Sequence, residues 1–342
     1  MNIEKLKEVL KDQPKFRFKQ CYKAVFFDFA EDWNDVSVLP LELREKLNQE
    51  CLLEIKSEFT KSRNEKTIKA LVILEDGLKI EAVLMRHGNR NTVCVSSQVG
   101  CPLACEFCVT GKMGFTRNLE SEEIIDQVLI FARYLKKYDE RVTNVVFMGM
   151  GEPFLNYDNV IEAIKKLNDH EAFNIGARHI SISTAGLVEG IKKLGQEDLQ
   201  VNLAISLHAP NDQLRSELMP INNQHNIGIL LKAVDNYIEK TNRRVMFEYL
   251  LIKDVNDSEK QALELAQLMR NKLYMVNLIP CNPTGRRSSR QGSGDKFKSS
   301  DSRTIDKFMD ILTKERINFT QRYKFGKDIK GACGQLAGKS KP

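Results

Sequence analysis

Apolar positions change their spacing twice along this chain. From residue 2 to about residue 57 they recur three and four apart, as in Ile3-Glu-Lys-Leu-Lys-Glu-Val-Leu10 and at Leu39, Leu43 and Leu47. That spacing predicts helices joined by short turns, and Pro40 stands where its fixed φ suits a helix start. Between Thr67 and Met85 two mostly apolar runs flank Glu75-Asp76-Gly77, a hairpin signal with Asp-Gly at the turn. From Thr92 onward a strand–loop–helix rhythm takes over. It predicts strands over 92–96, 142–148, 179–183, 201–206, 245–251 and 274–280. Amphipathic helices fall between them, for example over 121–137, 157–168, 227–240 and 258–271. Six such units imply an α/β fold with a parallel sheet and crossover helices, curled into a partial (β/α)6 barrel of TIM-like type. An open doubly wound sheet is the alternative. The expected organisation is a small N-terminal helical accessory domain over 1–60, a hairpin connector over 61–90 and a catalytic domain over 91–342. The low-complexity piece Gly285-Arg-Arg-Ser-Ser-Arg-Gln-Gly-Ser-Gly294 reads as a loop.

The chemistry concentrates in Cys101-Pro-Leu-Ala-Cys105-Glu-Phe-Cys108. Three thiolates this close, with no fourth at matching spacing, suit a four-iron, four-sulfur cluster with one iron lacking a protein ligand. Such an iron can chelate S-adenosylmethionine and reduce its sulfonium, releasing a carbon radical. A structural zinc site is the competing reading, but zinc usually takes paired C-x-x-C or Cys/His groups. Disulfides are disfavoured because the first residues carry no apolar signal segment and no later stretch approaches a membrane span, so the chain reads as cytoplasmic.

In parallel α/β folds the reactive groups sit past the carboxyl ends of the strands. Here those ends carry the cysteine loop, Gly149-Met-Gly151-Glu152-Pro153, Ser183-Thr-Ala-Gly186, Ser206-Leu207-His208 and Cys281-Asn282. Small, hydroxyl, amide and acidic residues of this kind suit an adenosyl ligand, with Glu152 placed to pair with an α-amino group. Cys94, seven residues before Cys101, should point near the same mouth, and Cys333 lies among small residues. Two thiols beside a radical site could carry a methyl group and then close to a disulfide; buried apolar cysteines are the plainer alternative. That plainer reading suits Cys21, Cys51 and Cys281. The net charge is +6, and from Thr284 to the end 15 Lys and Arg stand against 6 Asp and Glu. This basic end suits a polyanion such as RNA, with Arg286, Arg287, Arg290, Arg322 and Lys324 as contact candidates.

These motifs resemble the radical S-adenosylmethionine adenine-C2 RNA methyltransferases. The resemblance runs from Glu81 to Leu336 and rests on Val93-Cys-Val-Ser-Ser-Gln-Val-Gly-Cys101, the cysteine triad, Arg117-Asn-Leu119 and Phe147-Met-Gly-Met-Gly-Glu-Pro153. It continues through Ser206-Leu-His-Ala-Pro-Asn-Asp212, Met219-Pro-Ile-Asn222 and Ala332-Cys-Gly-Gln-Leu336. It implies that Cys101, Cys105 and Cys108 hold the cluster, and that Gly151, Glu152, Ser183, Ser206, Leu207, His208 and Asn282 bind S-adenosylmethionine. It implies further that Cys333 is methylated by one cofactor molecule and loses a hydrogen to the radical made from a second. The methylene so formed adds to carbon 2 of an adenine; Glu81 removes the proton there, and Cys94 attacks the Cys333 sulfur to free the product. Implied partners are 23S rRNA, tRNA and an electron donor such as flavodoxin or ferredoxin, with the enzyme a monomer. The family usually has an acid and an alanine where this chain has Lys330 and Gly331. Carbon-8 methylation of the same rRNA adenine, or a radical reaction on a substrate other than RNA, are the rival activities.

Overall fold

The computed structural model describes residues 3–282, 297–322, 327–332 and 334–338. The chain opens with α1 (Ile3–Val9), α2 (Lys15–Phe26) and α3 (Leu41–Glu50). Pro14 and Pro40 occupy the N-cap positions of α2 and α3, where a missing N–H leaves no bond unmade. Trp33 is wholly buried between these helices and donates its indole N–H to the Cys51 carbonyl at 2.6 Å. Cys21 and Cys51 are buried there too, and burial pushes the Cys21 thiol up to about 12.

A ten-stranded sheet follows. Its first part is antiparallel: β1 (Ser57–Lys61), β2 (Thr67–Ile73), β3 (Lys79–His87) and β4 (Arg90–Cys94). A separate two-stranded piece, β5 (Gln98–Gly100) and β6 (Phe115–Asn118), brackets the cysteine loop. The main sheet then continues in parallel with β7 (Asn144–Phe147), β8 (Ile180–Thr184), β9 (Asn202–Ser206), β10 (Val245–Leu251), β11 (Tyr274–Pro280) and β12 (Phe319–Gln321). Crossover helices are α4 (Ser121–Lys136), α5 (Tyr157–Asn168), α6 (Val188–Leu194), α7 (Asp212–Leu218), α8 (Ile227–Thr241), α9 (Glu259–Leu268) and α10 (Ser302–Lys314). Asn211, Asn226, Ser258 and Asp301 cap α7, α8, α9 and α10 with side-chain oxygens, each satisfying an end amide that would otherwise lack a partner.

Strand order is β1-β2-β3-β4-β7-β8-β9-β10-β11-β12, so the sheet keeps two edges and does not close. It does curl: four strands separate β7 from β12, yet the Arg322 guanidinium just past β12 lies 3.7 Å from the Met148 sulfur just past β7. The outer face carries Val145, Phe147, Ile180, Ile182, Phe247 and Tyr249, all buried. Their packing against the helices forms one continuous core that includes α1–α3. Arg133 of α4 joins the N-terminal helices to the barrel, donating to the Leu53 and Ala30 carbonyls at 2.8 and 2.6 Å. Among the described residues no helix is long and apolar enough to cross a membrane.

The six strands expected after Thr92 are β4 and β7–β11, and the Asp-Gly hairpin is β2–β3. The sequence reading did not single out β1, β5, β6 or β12. The first is polar and half exposed, as an edge strand should be, and the other three are only three or four residues long.

Candidate active site on the concave face of the sheet

Register decides which side chains share the concave face, because partners across a ladder point to the same side. Val83 pairs with Cys94, Cys94 with Val146 and Val146 with Ser181. Two residues further on, Ser183 pairs with Ala204; Ser206 pairs with Glu248, and Glu248 with Asn277. Side chains alternate along each strand, so Glu81, Cys94, Ser183, Ser206, Glu248 and Asn277 all belong to one face. Of the residues proposed for cofactor and catalysis, Glu81, Cys94, Ser183 and Ser206 thus share this face, with Glu248 and Asn277, two buried polar residues that sequence reasoning had not named.

The cysteine loop leaves this face at Gly100 and returns at Gly114. The Cys101 amide donates to the Gly114 carbonyl at 2.9 Å, and the Glu106 amide donates to the Leu218 carbonyl at 3.0 Å. Burial pushes the Cys101 thiol up to about 12, with the nearby Cys108 and Glu152 adding to it. Burial likewise raises the Cys105 thiol strongly, followed by the charges of Cys108 and Cys101, against an opposing pull from Arg215. Three sulfurs therefore feel one another in a half-buried loop where protein alone disfavours thiolate. Cys101, Cys105 and Cys108 would become thiolates on binding iron, whose positive charge would reverse this preference. Among the described residues no three His, Cys, Asp or Glu side chains are gathered as a site for one ion; a cubane instead takes one thiolate per iron. The donor set fits that group.

Glu152 lies just beyond β7 and is buried. Its carboxylate accepts the Phe154 amide at 3.1 Å and the Ala185 amide at 2.7 Å. Burial outweighs these donors and raises its pKa to about 7. A buried carboxylate held off from full ionisation is suited to meet a ligand ammonium, which removes that penalty. Gly149 and Gly151 are also required by the packing of the backbone itself. A Cβ on Gly149 would sit 2.6 Å from the Val95 carbonyl oxygen, and one on Gly151 (φ +101°) 2.6 Å from the Gln98 Cβ. Both glycines let the loop after β7 cross the segment after β4. Gln98 then accepts the Glu152 amide at 2.9 Å and fixes the crossing.

Further along the mouth, His208 is buried with a left-handed backbone (φ 56°). Its Nδ1 accepts the Leu250 amide at 3.0 Å, and burial, then the Arg215 charge, pushes its pKa down to about 3. The ring is therefore neutral, with its proton on Nε2. The Phe107 ring meets it edge-on at 4.8 Å, which seats the cysteine loop against β10. Leu207 is fully buried and its amide donates to the Glu248 carbonyl at 3.1 Å; its contribution is backbone rather than side chain.

Arg215 was not foreseen as a functional residue. Its guanidinium is wholly buried and donates to Ala185 O (2.7 Å), Asn222 Oδ1 (2.8 Å), Ser206 O (3.2 Å), and Leu207 O and His225 O (both 3.3 Å). One cation thus ties the ends of β8 and β9 together beside Cys105. Around the site, the buried oxygens Ser97 Oγ, Asn282 Oδ1 and Glu248 Oε1 have no hydrogen-bond partner among the described residues. A buried acceptor left unpaired is expensive, and the first two suit a bound polar ligand such as S-adenosylmethionine.

Cys333 lies outside the described residues, as do Arg286, Arg287, Arg290 and Lys324. The segments flanking Cys333 are described. The Gly334 carbonyl accepts the Val109 amide at 2.9 Å and the Leu336 carbonyl accepts the Thr110 hydroxyl at 2.8 Å. The Ala337 amide donates to Glu81 Oε2 at 2.7 Å, while Lys69 Nζ lies 2.7 Å from Oε1. The tail is therefore pinned both to the cysteine loop and to Glu81. Arg322, a candidate for RNA contact, is half-buried and its guanidinium lies 3.7 Å from the Met148 sulfur.

Comparisons with known proteins agree with this geometry. The radical SAM superfamily model matches residues 95–266. A probable dual-specificity RNA methyltransferase RlmN of Dictyoglomus thermophilum is 44% identical, covering 98% of this chain and 94% of its own length. A ribosomal RNA large subunit methyltransferase N of Nitrosopumilus maritimus is 43% identical over 94% of this chain and 92% of its own. Among solved structures, a radical SAM methyltransferase from Sphaerobacter thermophilus superposes with a TM-score of 0.91 at 42% identity, covering 99% of this chain and 98% of that one. With a cysteine loop at the mouth of a curled parallel sheet and relatives this similar end to end, the chain belongs to the radical SAM superfamily and, within it, to the RlmN family of RNA methyltransferases.

Proposed function

We propose that this enzyme methylates carbon 2 of adenine in RNA, with adenine 2503 of 23S rRNA and adenine 37 of tRNA as targets. The single observation carrying this reading is the pinning of the Cys333-flanking tail to Thr110 and to Glu81, with Cys94 one strand away. Cys101, Cys105 and Cys108 would hold the cluster. Glu152 would take the ammonium of S-adenosylmethionine, with Gly151, Ser183, the Ser206–His208 segment and Asn282 around the remainder. When bound, the two groups supply an electron and a hydrogen-abstracting adenosyl radical.

The protein's own residues do the rest. Cys333 would accept a methyl group on sulfur and carry its carbon to the base. Glu81, held by Lys69 and the Ala337 amide, would receive the proton leaving carbon 2, and Cys94 would displace the product by closing a disulfide with Cys333. The target base must leave its stack to enter, at about a few kcal/mol, and phosphate contacts from basic surface offset this. The N-terminal helices, as an accessory domain over 1–60, offer part of that surface. Arg17 lies 4.9 Å from the exposed Phe16 ring and Lys23 5.5 Å from that of Phe27. We assign the electron to a small external donor of the flavodoxin or ferredoxin type.

Anaerobic incubation of the reconstituted enzyme with defined rRNA and tRNA fragments, followed by nucleoside mass analysis, tests the reading. 2-Methyladenosine is expected; 8-methyladenosine, or no methylated nucleoside, overturns it.

A further inference from the structure

The concave face carries one buried acid to which the reaction above gives no part. Glu248 on β10 is 3% exposed. Its Oε2 accepts Asn277 Nδ2 at 2.7 Å, while its Oε1 has no hydrogen-bond partner among the described residues. Glu248 shares its register level with Ser206, so the lone oxygen faces the same lumen as the cofactor residues. A second link runs to the methyl-transfer side. Arg322 is close enough to act on the Glu248 charge and also reaches the Met148 sulfur. Met148 lies two residues past Val146, the register partner of Cys94. The acid, the guanidinium and the Cys94 thiol therefore belong to one concave face, with four strands separating β3, which bears Glu81, from β10.

We propose that Glu248 selects adenine as the substrate base, accepting a hydrogen bond from its exocyclic amino group at Oε1. This rests on the RNA adenine-C2 reading and adds the group that tells adenine from other purines. The chemistry is directional. Burial raises the Glu248 pKa against the opposing pulls of Arg322 and Asn277, and an N–H donor at Oε1 stabilises the ionised form. That form only accepts, so it rewards the N–H donors at C6 of adenine and repels the oxygen that guanine or hypoxanthine carries there. The C2–H and C6 amino group lie on one edge of the ring and diverge from it. One can face the Glu81 side while the other faces β10. Asn277 orients the carboxylate by occupying Oε2, leaving Oε1 as the reading atom.

The test pairs a protein change with a base change. RNA fragments carrying adenosine, purine riboside (no group at C6) or inosine at the target position are presented to the wild-type holoenzyme and to Glu248→Gln. The wild type should lose about ten- to hundredfold in kcat/KM on purine riboside, the range for a hydrogen bond to a charged group, and more on inosine. In Glu248→Gln the Asn277 amide keeps the side-chain oxygen, so the –NH2 faces the lumen. That variant should lose a similar factor on adenosine, show no further loss on purine riboside and recover relative activity on inosine. RNA-independent methylation of Cys333 and S-adenosylmethionine affinity should stay unchanged.

Equal wild-type rates on adenosine and purine riboside would overturn the proposal even if the variant failed to fold. Undiminished discrimination in Glu248→Gln would overturn it too, as would weaker S-adenosylmethionine binding, which would move Glu248 to the cofactor site. A wild-type enzyme that methylates no adenosine RNA at all would instead strike at the parent reading.

Discussion

Glu152 gives the sharpest quantitative test of the site. Replacing it by glutamine removes the ionisation and keeps the size. In the unfolded chain the carboxyl titrates at 4.5; burial in the folded site raises this to about 7. Between those values the folded protein holds more protons than the unfolded one, so stability must fall as pH rises through that window. Any stabilisation from the protonated acid is fully present below pH 4.5 and lost above about pH 7. The difference corresponds to at most about 3 kcal/mol, at 1.36 kcal/mol per pH unit. Glutamine adds a constant penalty of its own, because its amide cannot accept both the Phe154 and Ala185 N–H groups. The informative quantity is therefore the slope, not the offset. Urea unfolding of metal-free wild-type and Glu152→Gln protein, under argon from pH 4.5 to pH 8, should give a stability difference that shifts by about 2–3 kcal/mol in favour of the variant towards high pH. S-adenosylmethionine binding to the wild-type holoenzyme at pH 6 should release a proton, measurable as a buffer-dependent enthalpy, and should not in the variant. A stability difference independent of pH would refute the account of Glu152 as a buried acid waiting for a cation.

Other outcomes follow from the same contacts. Arg215→Met strands five acceptors at the ends of β8 and β9 and should cost about 3–5 kcal/mol in urea unfolding, with lower cluster occupancy by visible absorbance. Gly151→Ala places a Cβ against Gln98 at φ +101°; it should abolish S-adenosylmethionine binding by calorimetry while Gly77→Ala, in a turn with open space, costs about 1 kcal/mol. The His208 ring, held neutral with a pKa near 3, should show no NMR titration between pH 5 and pH 8.

Much of this fold could be read from the chain because its signals are local. Apolar runs such as Val245–Leu251, buried on both faces, mark strands of a parallel sheet. The cysteine spacing is a ligand pattern that survives without knowledge of the fold. Arg215 and Glu248 give no such signal. Each sits in a segment of ordinary composition, and only the curl of the sheet and the pairing of β9 with β10 bring them to the mouth. The two loop glycines show the converse. Their presence was legible, but their packing requirement was not, since it depends on Val95 and Gln98 from a distant strand end. The place of Arg322 was hidden for the same cause, since its approach to Met148 depends on where β12 ends relative to β7.

The most direct measurement of the central claim uses S-adenosylmethionine with a fully deuterated methyl group and an RNA fragment bearing the target adenine. If Cys333 carries the carbon and surrenders one hydrogen to the adenosyl radical, the 2-methyladenosine product must hold one deuteron fewer than the donor methyl, with that deuteron in 5′-deoxyadenosine. A product bearing the methyl intact, or one that forms unchanged in Cys333→Ala protein, would contradict the account.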